Sequence, residues 1–142
     1  MRVKCTNSLD PRTGRYGEAL GGGSYKSYLV QEKEYDVLGV MFFKGVIIYL
    51  VLTKVGFFWC AKGAFELTDN HIPPWWKIRT TEDPEDIKYA AEMLISYPRM
   101  IDDPTHNEDL ISNQYPDAIW IAEEELKKVQ AWHASLSGEE LA

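Results

Sequence analysis

Carboxylates are the reactive side chains this chain has in greatest number, and they gather late. Asp102 and Asp103 are adjacent, Glu108 and Asp109 follow, then Asp117, then the run Glu123, Glu124 and Glu125. Two carboxylates in a cleft that separates their pKa values could do acid–base work. Each also has a structural use. Asp103 stands before Pro104 in a helix-opening pair, and the Glu run suits a first helical turn, where the dipole favours negative charge. Other chemistries lack their signatures. His71, His106 and His133 lie far apart, and none has a second ligand at i+4. Cys5 and Cys60 are lone thiols in strand-like contexts, without metal spacing or a disulfide framework. Gly21-Gly22-Gly23-Ser24 lacks the Lys-Ser/Thr end of a phosphate loop and precedes no helix pattern, so it reads as a plain loop. No catalytic residue, cofactor or metal is expected.

The charge layout narrows the function further. The net charge is −7 over 142 residues. Residues 1–80 carry eleven Lys and Arg against seven Asp and Glu, whereas residues 81–142 carry four against fifteen. Phosphates would be repelled by the second half, so no nucleic-acid partner is expected. Two uses remain for that half: packing on the chain's own basic half, or presenting a field to a basic partner. No apolar leader follows Met1, and Lys44 and Lys54 cut the apolar run from Val37 to Cys60 into pieces too short to span a bilayer. A soluble, cytoplasmic protein with no membrane partner is the expectation.

The elements that must hold these groups follow from composition. Between Glu34 and Leu67, β-branched and aromatic residues run in short stretches broken by Gly and Lys, the pattern of successive antiparallel strands. With an opening strand over 1–7, strands are expected over 35–43, 46–53, 57–61 and 65–68, and an edge strand is possible at 25–30. His71 to Trp76 leaves as an extended connector whose two prolines forbid regular pairing. Trp75 and Trp76 either cap the open end of the sheet or touch a partner. Asp83-Pro84 opens a helix whose stripe is Ile87, Ala90, Ala91, Leu94 and Ile95, ending near Tyr97 before Pro98. Asp103-Pro104 opens a short helix through Ile111. Ala118 to Ile121 reads as strand or helix start, and a last helix runs from Ala122 to Leu136, closed by Gly138.

The resulting fold class is α+β in one domain, 1–142. A β part over 1–76 forms a bent five-stranded antiparallel sheet or small barrel. An acidic helical part over 77–142 adds two or three helices.

Arg2-Val3-Lys4-Cys5-Thr6-Asn7, Glu32 to Leu38 with its K-x-Y-x-V strand, Phe58-Trp59 and the Phe65-Glu66-Leu67 corner resemble small bacterial SH3-like modules. Such modules occur among immunity proteins of polymorphic toxin systems, including contact-dependent growth inhibition. The resemblance covers the first half. It implies a protein that neutralises a toxin domain by binding it, with no activity of its own. The residues point the same way: an acidic surface with embedded aromatics complements a basic nuclease and blocks the site that must hold phosphates. The partner-binding candidates are Asp102, Asp103, Glu108, Asp109, Asp117, Glu123, Glu124 and Glu125, with Tyr115 and Trp120 as apolar anchors. Three other readings stay open: a solvated acidic helix surface, an SH3-like module taking a peptide or small ligand near Trp75 and Trp76, and a small enzyme with acidic cleft residues.

Overall fold

Strands fill most of the segment between Glu34 and Asp69 because its residues pack well on a pleated surface. The computed structural model, which describes residues 1–6, 29–43, 45–80 and 92–141, gathers them into two antiparallel sheets. In the smaller sheet β1 (Arg2–Cys5) lies between β2 (Glu34–Asp36) and β6 (Phe65–Asp69). The larger contains β3 (Gly39–Phe43), β4 (Val46–Thr53), β5 (Gly56–Ala61), β7 (Lys77–Thr80) and β8 (Met93–Ser96), in the order β5-β4-β3-β8-β7. Helices α1 (Pro98–Asp102), α2 (His106–Ser112) and α3 (Pro116–Leu141) follow. The class is α+β, with a five-stranded antiparallel sheet and C-terminal helices; among the described residues there is no closed barrel.

The membership of that sheet differs from the expectation, for physical reasons. The strand expected over 35–43 bends at Val37 and Leu38. Val37 N–H donates to Met1 O at 3.0 Å, and Leu38 N–H donates to Leu50 O at 2.8 Å. One continuous stretch thus serves both sheets, as strands do at the corner of a two-layer packing. Residues 93–96, assigned above to a helix, form β8. Leu94 and Ile95 satisfy a helical stripe, but alternating burial along Met93–Ser96 and pairing with β3 decide for a strand. Without β8, β3 would expose a row of unpaired backbone groups. The rest of that expected helix lies outside the described residues, as do the Gly21–Ser24 loop and most of the possible strand at 25–30. β7 also belongs to the sheet, so the part over 77–142 is not wholly helical. Pro98 does not end a helix but opens α1, where its missing N–H is harmless. Pro116 opens α3 in the same way, six residues before the expected start, and α3 continues past Gly138.

Strand register assigns the faces. Gly39 and Met41, Ile48 and Leu50, Trp59, and Leu94 and Ser96 share one buried face of the large sheet. The helices cover it: Trp59 Nε1–H donates to Asn107 Oδ1 at 2.7 Å, and Arg79 donates to Ile101 O at 3.2 Å. The other face carries Tyr49, Val51 and Cys60, also buried. There the Phe65 ring meets Tyr35 and Tyr49 edge-on, at 6.3 and 6.0 Å, and joins the two sheets. The β4–β5 turn closes on Gly56, whose φ of 117° suits only glycine, with Thr53 Oγ1 donating to Gly56 O at 2.6 Å.

Gly39 is a point of close approach. A Cβ there would stand 2.9 Å from Trp59 Cη2 and 3.0 Å from Ser96 Oγ. Both neighbours are held, Trp59 by Asn107 and Ser96 by its 2.7 Å bond to Leu38 O. Gly39→Ala is therefore expected to destabilise the protein by about 1–3 kcal/mol through overpacking. Urea midpoints of the two proteins check this; equal midpoints would mean that Trp59 gives way freely.

Candidate functional site

The rotation of α3 decides which of its acidic residues face outward. Its inner row is Ala118, Ala122, Glu125, Val129 and His133, all buried. This spacing of three and four is the core face of a helix, with one carboxylate set into it. Glu125 Oε1 accepts the indole N–H of Trp75 at 2.6 Å and of Trp76 at 2.9 Å. Lys128 Nζ lies 4.5 Å from the centre of the Trp75 ring, and Trp132 meets that ring edge-on at 5.8 Å. The tryptophan pair thus caps the fold through α3, and Trp76 is buried. Glu125, counted above among the partner-binding candidates, faces the interior.

The other candidates divide into two groups. Asp102 accepts from Lys77 at 2.8 Å and Glu124 from Lys127 at 3.0 Å, and Asp103 forms an ion pair with Arg99 at 3.1 Å. Asp103 also accepts from Thr105 N–H and Oγ1–H, at 3.0 and 2.9 Å; these bonds hold its carboxyl below the ordinary range. Glu108, Asp109, Asp117 and Glu123 have no ion-pair partner among the described residues. Trp120 is 62% exposed and Tyr115 51%. Asp117, Trp120 and Glu124 recur at i, i+3 and i+7 and so share the outer face of α3.

The turn between α2 and α3 makes a cleft of some of these groups. Asn113 takes the left-handed conformation, φ 58°, that ends a helix, and Pro116 starts the next. The cleft is about 310 Å³, and its lining includes Arg99, Asp103, His106, Asp109, Tyr115 and Asp117. Asp102, Glu108, Trp120 and the three consecutive glutamates do not line it. His106 is 2% exposed, and its Nε2 lies 2.7 Å from the Tyr97 hydroxyl. Burial, with Arg99 nearby, lowers the His106 pKa, and burial raises that of Tyr97. The lowered pKa keeps the His106 imidazole neutral at neutral pH. Among the described residues no group of His, Cys, Asp and Glu could hold a metal ion.

Sequence reasoning passed over His106 and Arg99. The signal for His106 was present: it stands three residues before Asp109 and so shares its helix face. Arg99 reaches Asp103 at i+4 only because Pro98 opens a helix, which was not anticipated. His133 was also passed over; it is buried, with Nε2 2.8 Å from the Met1 nitrogen.

The chain matches no protein-family model, no curated protein and no solved structure. Among the described residues no helix is long and apolar enough to cross a membrane.

Two expectations follow from these contacts. Glu125→Ala leaves two indole N–H groups without their acceptor and should destabilise by about 2–4 kcal/mol, whereas Glu125→Gln, which keeps a carbonyl oxygen, should cost about half as much or less. Denaturant midpoints and the Trp fluorescence maximum check this. The second concerns pH. Burial lowers the pKa of His106 and of His133 below the ordinary 6.5, with Arg99 acting on the first and the Met1 amino group and Arg2 on the second. Below pH 6.5 the unfolded chain then binds more protons than the folded one. The stability that the two neutral histidines contribute is fully present above that pH and is lost as pH falls through the window. Urea midpoints should be lower at pH 5.5 than at pH 7.5, and the loss should shrink in His106→Gln.

Proposed function

We propose that this chain is a cytoplasmic immunity protein that binds a basic toxin domain of nuclease type and occludes its active site. The observation that carries the reading is the aromatic and acidic face of α2 and α3. Trp120 stands 62% exposed beside Asp117 and Glu124, close in sequence to exposed Tyr115. A large exposed aromatic surface is costly in a lone protein and is a frequent centre of binding energy in a complex. The surrounding carboxylates would steer a cationic partner and repel its nucleic-acid competitors.

The cleft favours a second reading, a small enzyme, because it brings Asp103, Asp109 and Asp117 together with a buried imidazole. The hydroxyl beside that imidazole belongs to Tyr97, which is buried and does not line the cleft, and it is a poor nucleophile because burial raises the phenol pKa. The peptide-module reading loses ground, because the indole N–H groups of Trp75 and Trp76 are both engaged by Glu125.

The test is to ask whether a toxin-like reading frame lies directly upstream and to co-express its product with this chain. Protection of the host and a one-to-one complex whose association slows as salt rises are expected. Trp120→Ala should weaken the complex by about 2 kcal/mol or more, roughly 30-fold in Kd. Asp109→Lys should slow association several-fold, on the order of tenfold at low salt. Failure of the two proteins to associate, or affinity untouched by both substitutions, sinks the proposal.

A further inference from the structure

Between Gln130 and Leu136, α3 buries a single residue, His133; its neighbours there are exposed or half-buried. These turns of the helix are thus seated on the small sheet through one titratable side chain. Its Nε2 lies 2.8 Å from the Met1 nitrogen, at the start of β1. Charged groups from all three strands of that sheet face the pair: Arg2 from β1, Asp36 from β2 and Asp69 from β6. On the helix itself the Trp132 ring lies against the imidazole, with centres 5.2 Å apart.

Proton count decides whether the contact can exist. An ammonium has no lone pair, and an imidazolium carries N–H on both nitrogens, so neither can accept a hydrogen bond. One partner must stay unprotonated, whichever tautomer the neutral imidazole takes. With both protonated the bond is gone and two cations are left in contact. An amide N–H in place of the amine would need the imidazole lone pair in the same way and would lose it with one proton.

The nearby carboxylates do not replace the bond. Asp69 Oδ2 is 3.7 Å from Nδ1 and Asp36 Oδ1 is 4.0 Å from Nε2, both beyond hydrogen-bond reach. Each is also engaged elsewhere, Asp36 by Arg2 Nε at 2.8 Å and Asp69 by the His71 N–H at 2.8 Å and its ring at 3.1 Å. Burial therefore outweighs their attraction. It lowers the pKa of His133 below the ordinary 6.5 and that of the Met1 amine from 8.0 to about 6. Lifting the helix returns both groups to water, so the lifted form binds more protons than the seated one. Seating is unimpaired above pH 8.0, weakens as pH falls towards 6 through the amine, and weakens further below 6.5 through His133.

We propose that His133 and the Met1 nitrogen form a proton-operated latch, which seats the turns of α3 around His133 on the small sheet while one of the pair keeps a lone pair and lets them lift when both are protonated. The preceding half of the helix stays in place, because its inner row and the bonds of Trp75 and Trp76 to Glu125 use neither group. The latch is independent of any partner.

The experiment is amide hydrogen exchange on the full chain at about pH 7.5 and about pH 5, corrected for intrinsic rates, alongside an NMR titration of the His133 ring. On acidification, the opening of residues 130–136 should rise at least about tenfold more than that of residues 118–126 and β4. His133→Gln, whose side-chain carbonyl can accept from a charged amine at either pH, should abolish that difference. His106→Gln should preserve it. An equal rise throughout α3 and β4, no rise in residues 130–136, or a difference that persists in His133→Gln would overturn the proposal. If His133→Gln leaves these turns lifted at both pH values, the unaltered chain decides. There the midpoint of the His133 ring titration should coincide with the rise in exchange, and a separation of more than about one pH unit would overturn the latch.

Discussion

Two indole N–H groups converge on one carboxylate oxygen of Glu125, and the placement of every outward group on α3 depends on that junction. A carboxylate in the core row of a helix is costly to desolvate, and charge-assisted hydrogen bonds offset the cost. The dependence is mutual, since the indoles would otherwise be held against the helix without an acceptor. Because helical residues are spaced by about 100°, setting Glu125 inward sends Asp117, Trp120 and Glu124 outward. A slip of a single residue would turn that outer row sideways and break the contact with the tryptophans. One buried acid thus orients the exposed ones.

The acidic excess of the second half is partly answered within the chain. Lys77, Arg99 and Lys127 each hold one carboxylate, but these pairs are exposed, and pairs of this kind contribute about 0–1 kcal/mol. They lower the local charge without holding the fold together. Of the partner-binding candidates, Glu108, Asp109, Asp117 and Glu123 have no such partner among the described residues; Asp109 and Asp117 line the cleft, and Glu108 and Glu123 lie outside it. In that setting His106 stays neutral, because burial outweighs the attraction of the neighbouring carboxylates.

The β segments were legible where strand preference and tertiary role agreed. Val46–Thr53 occupies the range its composition indicated, since a strand apolar on both faces belongs in the middle of a covered sheet. Met93–Ser96 was not legible: four residues satisfy a helical stripe and a strand alternation equally well, and only the open edge of β3 chooses between them. Pro98 and Pro116 were ambiguous for a related reason. Proline ends one helix and begins another by the same lack of an N–H, and which it does depends on where the preceding chain has been placed. The cleft was half legible. Its acids were named from composition, whereas His106 and Arg99 join them only because two short helices bring their faces together.

The amino-acid sequence by itself determined the α+β class, the late gathering of negative charge and the presence of strands between Glu34 and Asp69, because these depend on composition and local periodicity. Only the tertiary structure decided that Glu125 points inward, that Lys77–Thr80 and Met93–Ser96 complete the large sheet, and that His106, Asp109 and Asp117 line one cleft. Those outcomes rest on long-range pairing: backbone groups and indoles must find partners wherever the chain has folded, and no local window of residues contains that information.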